Sequence, residues 1–130
     1  MSRSNWAERY SNQESIVFEK GHWSLKEDRE KSWSLYFDDD CIYPVLDYNR
    51  YKLFDHGFLM YAECDYSNSY CLFSSTEKKP IFSVSGRNIQ IEFDDNLILF
   101  HTSNGNVKIY DINTFSPVYI AKDNQIGLDI

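Results

Sequence analysis

Residues 96–112 read NLILFHTSNGNVKIYDI. Two β-type runs, NLILFHT and NVKIYDI, meet at Asn104-Gly105, a pair that tolerates the positive φ angles a tight hairpin turn demands. The stretch therefore predicts an antiparallel hairpin, and the same pattern extends in both directions. Upstream, Ile89, Ile91 and Phe93 alternate with Gln90 and Glu92, as on a strand with one buried face. Downstream, Ile126, Leu128 and Ile130 alternate in the same way. From Ser15 onward, SIVFEK, SWSLYF, YPVLDY, RYKLF, FLMYAEC, SYCLFSS and PIFSVS precede the hairpin region, and PVYIA and QIGLDI follow it. With almost no helical filler between these runs, the expectation is one antiparallel all-β domain with strands over about residues 15–130. The exception is the N-terminus. There Ser4 can cap a short helix over about residues 3–13, with Trp6, Arg9, Tyr10 and Gln13 at helical spacing.

A second hairpin is suggested by a small duplication, Trp23-Ser24-Leu25 and Trp33-Ser34-Leu35, with the tryptophans expected to pack on neighbouring strands. KEDREKS, between the copies, must then protrude into water, as a loop or as a short helix, since Ser24 and Glu27 have capping-box spacing.

The three prolines, Pro44, Pro80 and Pro117, lie 36 and 37 residues apart. Seven residues before each stands an aromatic (Phe37, Phe73, Tyr110), eight before stand Tyr36, Leu72 and Ile109, and one after stand Val45, Ile81 and Val118. Each unit reads as strand, turn, Pro-led strand, turn and further strand, the pattern of stacked β-sheet repeats. Residues 104–121, NGNVKIYDINTFSPVYIA, resemble the third and fourth strands of a WD40-type propeller blade. Weaker copies are SLYFDDDCIYPVLDY and YCLFSSTEKKPIFSVS. The chain departs from that family in lacking the Gly-His and Trp-Asp dipeptides, and three units do not close a ring of four to eight blades. The expectation is repeat-like sheets, an incomplete propeller or a sandwich-like stack. The resemblance implies a binding platform rather than a catalyst.

Composition narrows the function classes. The chain has 130 residues and a net charge of −7, with 10 Tyr, 9 Phe and 3 Trp. So many aromatic residues argue against disorder. The negative charge argues against a phosphate backbone as partner, and no apolar run is long enough for a membrane helix. The charge is uneven, with 13 acids and 8 bases in residues 1–65 against 7 and 5 in residues 66–130. MSRSNWAERY has no signal-peptide pattern, so a cytoplasmic location is expected. Cys41, Cys64 and Cys71 match no zinc spacing and read as reduced, buried small apolar residues.

No catalytic signature emerges. His22, His56 and His101 have no helical metal spacing and read as surface or turn residues. The competing idea, acid–base cleavage of RNA or a related hydrolysis, suits an acidic chain poorly. The triple Asp38-Asp39-Asp40 and the pair Asp94-Asp95 lack an EF-hand's alternating ligands. GxSxG and phosphate-binding glycine loops are absent. Neither an enzyme nor a cofactor or metal site is expected.

What does stand out is tyrosine beside carboxylate. Tyrosine is a favoured interface anchor, and clustered carboxylates steer a basic partner. By size, charge and β content the chain resembles bacterial immunity proteins, including those paired with contact-dependent growth-inhibition toxins. That resemblance implies a 1:1 complex with a basic toxin domain, a nuclease above all, whose active site is occluded. The candidate surface comprises Glu27, Asp28 and Glu30 on the loop, then Asp38, Asp39, Asp40, Tyr43 and Asp47, with Tyr66 and Tyr70 behind them. The rival readings are a general β-repeat interaction module, a phage-type inhibitor of another host protein, and a small hydrolase using the histidines.

Overall fold

The computed structural model describes residues 14–102 and 105–118. The expected helix over residues 3–13, Asn104 and the run QIGLDI lie outside them. Among the described residues the chain forms three antiparallel sheets and no helix. The first is an up-and-down meander of β1 (Ser15–Lys20), β2 (Trp23–Glu27), β3 (Trp33–Phe37) and β4 (Asp40–Tyr43). The second repeats that order with β5 (Arg50–Phe54), β6 (Gly57–Glu63), β7 (Asn68–Ser74) and β8 (Phe82–Gly86). The third pairs β9 (Gln90–Asp94), β10 (Leu97–His101) and β11 (Val107–Asp111), and an isolated bridge joins Tyr110 to Pro117.

The repeat is visible in the backbone bonding. In every sheet a two-residue turn joins the first two strands: Gly21-His22, Asp55-His56 and Asp95-Asn96. The carbonyl of the second turn residue accepts the N–H of the residue directly after the third strand. These bonds are Asp38 to His22 (2.7 Å), Ser75 to His56 (2.9 Å) and Ile112 to Asn96 (2.7 Å). The donors stand at positions 38, 75 and 112, 37 residues apart each time, within one residue of the proline spacing of 36 and 37. The second and third sheets share a further bond, from Ile81 N to Leu72 O and from Val118 N to Ile109 O, each 2.8 Å.

The first sheet departs from the expected Pro-led strand. Asp38 adopts φ 53° and lets β3 turn back within two residues, pairing Phe37 with Asp40. The fourth strand is over before Pro44. YPVLDY is therefore not a strand, and residues 44–49 return along β3 with Leu46 N bonded to Trp33 O at 3.0 Å.

The chain divides into two compact units: residues up to 63 with 69–84, and residues 64–68 with those from 85 onward. In the first, Phe18, Trp23, Leu25, Leu35, Phe58, Met60, Cys71 and Phe73 form one buried cluster. The β2–β3 register places Leu25 opposite Leu35, both fully buried. Because an antiparallel partner runs the other way, the two tryptophans do not pair as expected. Trp23 faces Phe37, and Trp33 faces Glu27 at the far end. Trp23 is 1% exposed, edge-on to Phe37, Phe58 and Phe73, and its indole N–H donates to both Ser74 O and Glu77 O at 3.0 Å. Gly21, at φ 61°, touches the same segment, since a Cβ there would lie 2.3 Å from Ser75 O.

In the second unit Ile89, Ile98, Phe100, Ile109, Tyr110 and Phe115 are buried. The β10–β11 hairpin forms as expected. Its loop closes with Gly105 at φ 80°, bonded to Thr102 O, while Thr102 N bonds to Asn106 O.

Candidate functional site

The β2–β3 loop is shorter than KEDREKS suggested, because Lys26 and Glu27 belong to β2. Neither a long excursion nor a helix forms. The Asp28 carboxylate accepts the N–H groups of Glu30 (2.8 Å) and Ser32 (2.9 Å), and Lys31 turns the chain at φ 68°. Asp28 is thereby held inside the loop, whereas Glu30 is exposed.

The register separates the candidate residues. Glu27 lies at one end of β2, opposite Trp33, while Asp38 and Asp39 form the turn at the opposite end of β3, about 17 Å away at roughly 3.4 Å per residue. The acidic surface expected as one patch is therefore two. At the turn end, Asp38 meets His22 at 2.9 Å, with the imidazole stacked on Phe37. Asp40 pairs with Lys78 at 3.6 Å, and Asp39 is exposed.

At the other end Glu27, Lys31, Ser32, Trp33, Leu46, Asp47, Tyr48 and Asn49 line an open groove of about 320 Å³. Its aromatic walls are fixed. The Trp33 indole N–H donates to Glu27 Oε2 at 3.2 Å, and its ring leans on Tyr51 at 5.8 Å. Tyr48 is half-buried against the core cluster beside the buried Cys71, and burial pushes its pKa up to about 12. Cys71 beside it is pushed up to about 11, chiefly by burial. Among the described residues neither Glu27 nor Asp47 has an ion-pair partner.

The tyrosine candidates part company. Tyr43 packs edge-on to Phe73 at 6.1 Å and flanks the core, and burial raises its pKa. Tyr70 is 1% exposed, with its hydroxyl donating to Glu63 at 2.5 Å. It offers no surface, so it leaves the candidate set. Tyr66 is open, at 79% exposure, in the second unit. All three cysteines are free, but the expected burial holds only for Cys71; Cys41 and Cys64 are exposed.

Sequence reasoning found Glu27 and Asp47, noted Tyr48 only as the tyrosine beside Asp47, and left Trp33 out of the candidate surface. A signal for Trp33 was present: aligning the two WSL copies antiparallel about their leucines places Glu27 opposite Trp33. For Tyr48 the local signal was the adjacent Asp47; its place in the groove comes from the return of residues 44–49.

The histidines are dispersed. His22 and His56 sit in separate turns of the first unit, and His101 pairs with Glu92 at 2.9 Å in the second. Among the described residues no three His, Cys, Asp or Glu side chains could hold a metal ion, and no helix is long and apolar enough to cross a membrane. Compared with known proteins, the chain matches no family model and no curated relative.

Proposed function

We propose that this chain is a non-catalytic binding protein for a basic protein partner, acting as an immunity protein that neutralises a cognate toxin domain, a nuclease, by covering its active site. The observation that carries this reading is the groove, where Glu27 and Asp47, unpaired among the described residues, flank the fixed rings of Trp33 and Tyr48. Rigid aromatic area next to carboxylates that keep their hydration-facing oxygens is the composition of an interface that recognises cations. The exposed turn-end carboxylates, Asp38 to Asp40, add long-range attraction for the same partner. The complex is 1:1, with the chain acting by occlusion.

The reading is tested by co-purification with the product of the adjacent gene, followed by association kinetics across salt. A steered acidic–basic pair shows an on-rate that falls steeply between about 0.05 and 0.5 M salt. A neutral or acidic partner, or a flat on-rate, overturns it. Changing His22, His56 and His101 together to Gln should leave protection against the toxin intact; loss of a measurable hydrolysis in that variant would favour an enzyme instead.

A further inference from the structure

We infer that the groove at the Glu27 end of the first sheet is a receptor for a single arginine side chain of the partner protein. This inference rests on the proposed reading of a basic partner and specifies its chemistry.

Size comes first. At about 320 Å³ the groove lies at the small end of ligand pockets, roughly 300–1,000 Å³, and suits one long side chain rather than a segment of secondary structure. Charge comes second. Glu27 and Asp47 against Lys31 leave the lining with one uncompensated negative charge, so one incoming cation brings it to neutrality. Shape comes third. A guanidinium is planar, stacks on aromatic faces and donates a fork of N–H bonds to carboxylates, and it is more weakly hydrated than an ammonium. Trp33 and Tyr48 supply the faces.

Preorganisation completes the argument. Glu27 Oε2 already accepts the Trp33 indole N–H, which fixes both ring and carboxylate and leaves Oε1 for the ligand. Tyr48 is packed against the core cluster, so its ring meets a ligand with little rotamer freedom left to lose. An arginine entering here orders little that is not already ordered.

The test uses the whole chain and arginine amide, lysine amide and tetramethylammonium as probes, followed by ¹H–¹⁵N NMR. The Trp33 indole resonance is assigned by its loss in Trp33→Phe. Arginine amide should shift that resonance saturably and several-fold more tightly than lysine amide. Glu27→Gln keeps an acceptor for the indole while removing the charge, and combined with Asp47→Asn it should weaken arginine amide by about tenfold or more. An unchanged melting curve for the double variant confirms that the fold survives.

No shift with arginine amide, equal shifts in the double variant, or tighter binding of tetramethylammonium overturns the inference, the last pointing to a quaternary-ammonium pocket. The two readings fail separately. A basic partner that binds the double variant as tightly as the parent leaves the proposed function standing and removes the arginine site. Arginine amide binding with no basic protein partner does the reverse.

Discussion

The two ends of the first unit carry similar chemistry for different purposes. At the turn end, Asp38 and Asp40 face His22 and Lys78, and backbone bonds from Asp38, His22 and Ser75 tie neighbouring turns together. Gly21 and Trp23 press against the end of β7 and the turn that follows it, residues 74–77, there. At the groove end, Glu27 and Asp47 have no ion-pair partner among the described residues and stand beside aromatic faces. The turn end is engaged within the unit, and the groove end is open. Counting carboxylates favours the turn end; asking which are already engaged favours the groove.

This contrast is broken or sharpened by variants at each end. The largest effect is expected from Trp23→Ala. It empties a fully buried site and orphans two carbonyl acceptors, costing about 3–5 kcal/mol in urea unfolding. Gly21→Ala should cost at least about 1–2 kcal/mol, because φ 61° disfavours a Cβ that would also meet Ser75 O. The groove double variant, Glu27→Gln with Asp47→Asn, should by contrast change stability by no more than about 0.5 kcal/mol. A groove variant that unfolds the unit as Trp23→Ala does would erase the distinction.

The Tyr48–Cys71 contact behind the groove gives a pH test. Cys71 is raised from 9.0 to about 11 and Tyr48 from 10.0 to about 12 in the folded chain. The unfolded chain therefore releases these protons first. Their contribution to stability is intact below pH 9 and is lost as pH rises through the folded values. The urea midpoint should begin to fall above pH 9. In Cys71→Ala the thiol's share of that fall, between pH 9 and 11, should disappear. An identical pH profile in the variant would show that Cys71 does not couple folding to its proton.

A small effect is likewise expected from reversing Asp38 and Asp39 to Lys. Exposed ion pairs contribute little, so stability should move by less than about 1 kcal/mol. Partner binding should weaken several-fold through the on-rate alone, whereas groove variants raise the off-rate. An off-rate effect here would make the turn end a contact surface.

The sheet architecture was legible because alternation and turn residues are local signals. Gln90 to Phe93 and the two runs around Gly105 form strands, although Ile89 precedes its strand and Phe93 is left exposed, so the expected buried face is only partly realised. The proline spacing matched a backbone bond repeated at residues 38, 75 and 112. YPVLDY misled because its apolar residues have strand composition, while an early turn at Asp38 had already completed the sheet.

Sequence by itself determined an acidic, aromatic, all-β chain with a repeat of 36–37 residues and named Glu27 and Asp47 as candidates. Tertiary structure decided that Tyr70 is buried, that Asp38 to Asp40 lie at the end of the sheet away from Glu27, and that Trp33 and Tyr48 join the groove. The reason is geometric. Strand period fixes which face a residue takes, but register and the path of residues 44–49 fix which end of the sheet it reaches. Both depend on partners distant in the chain.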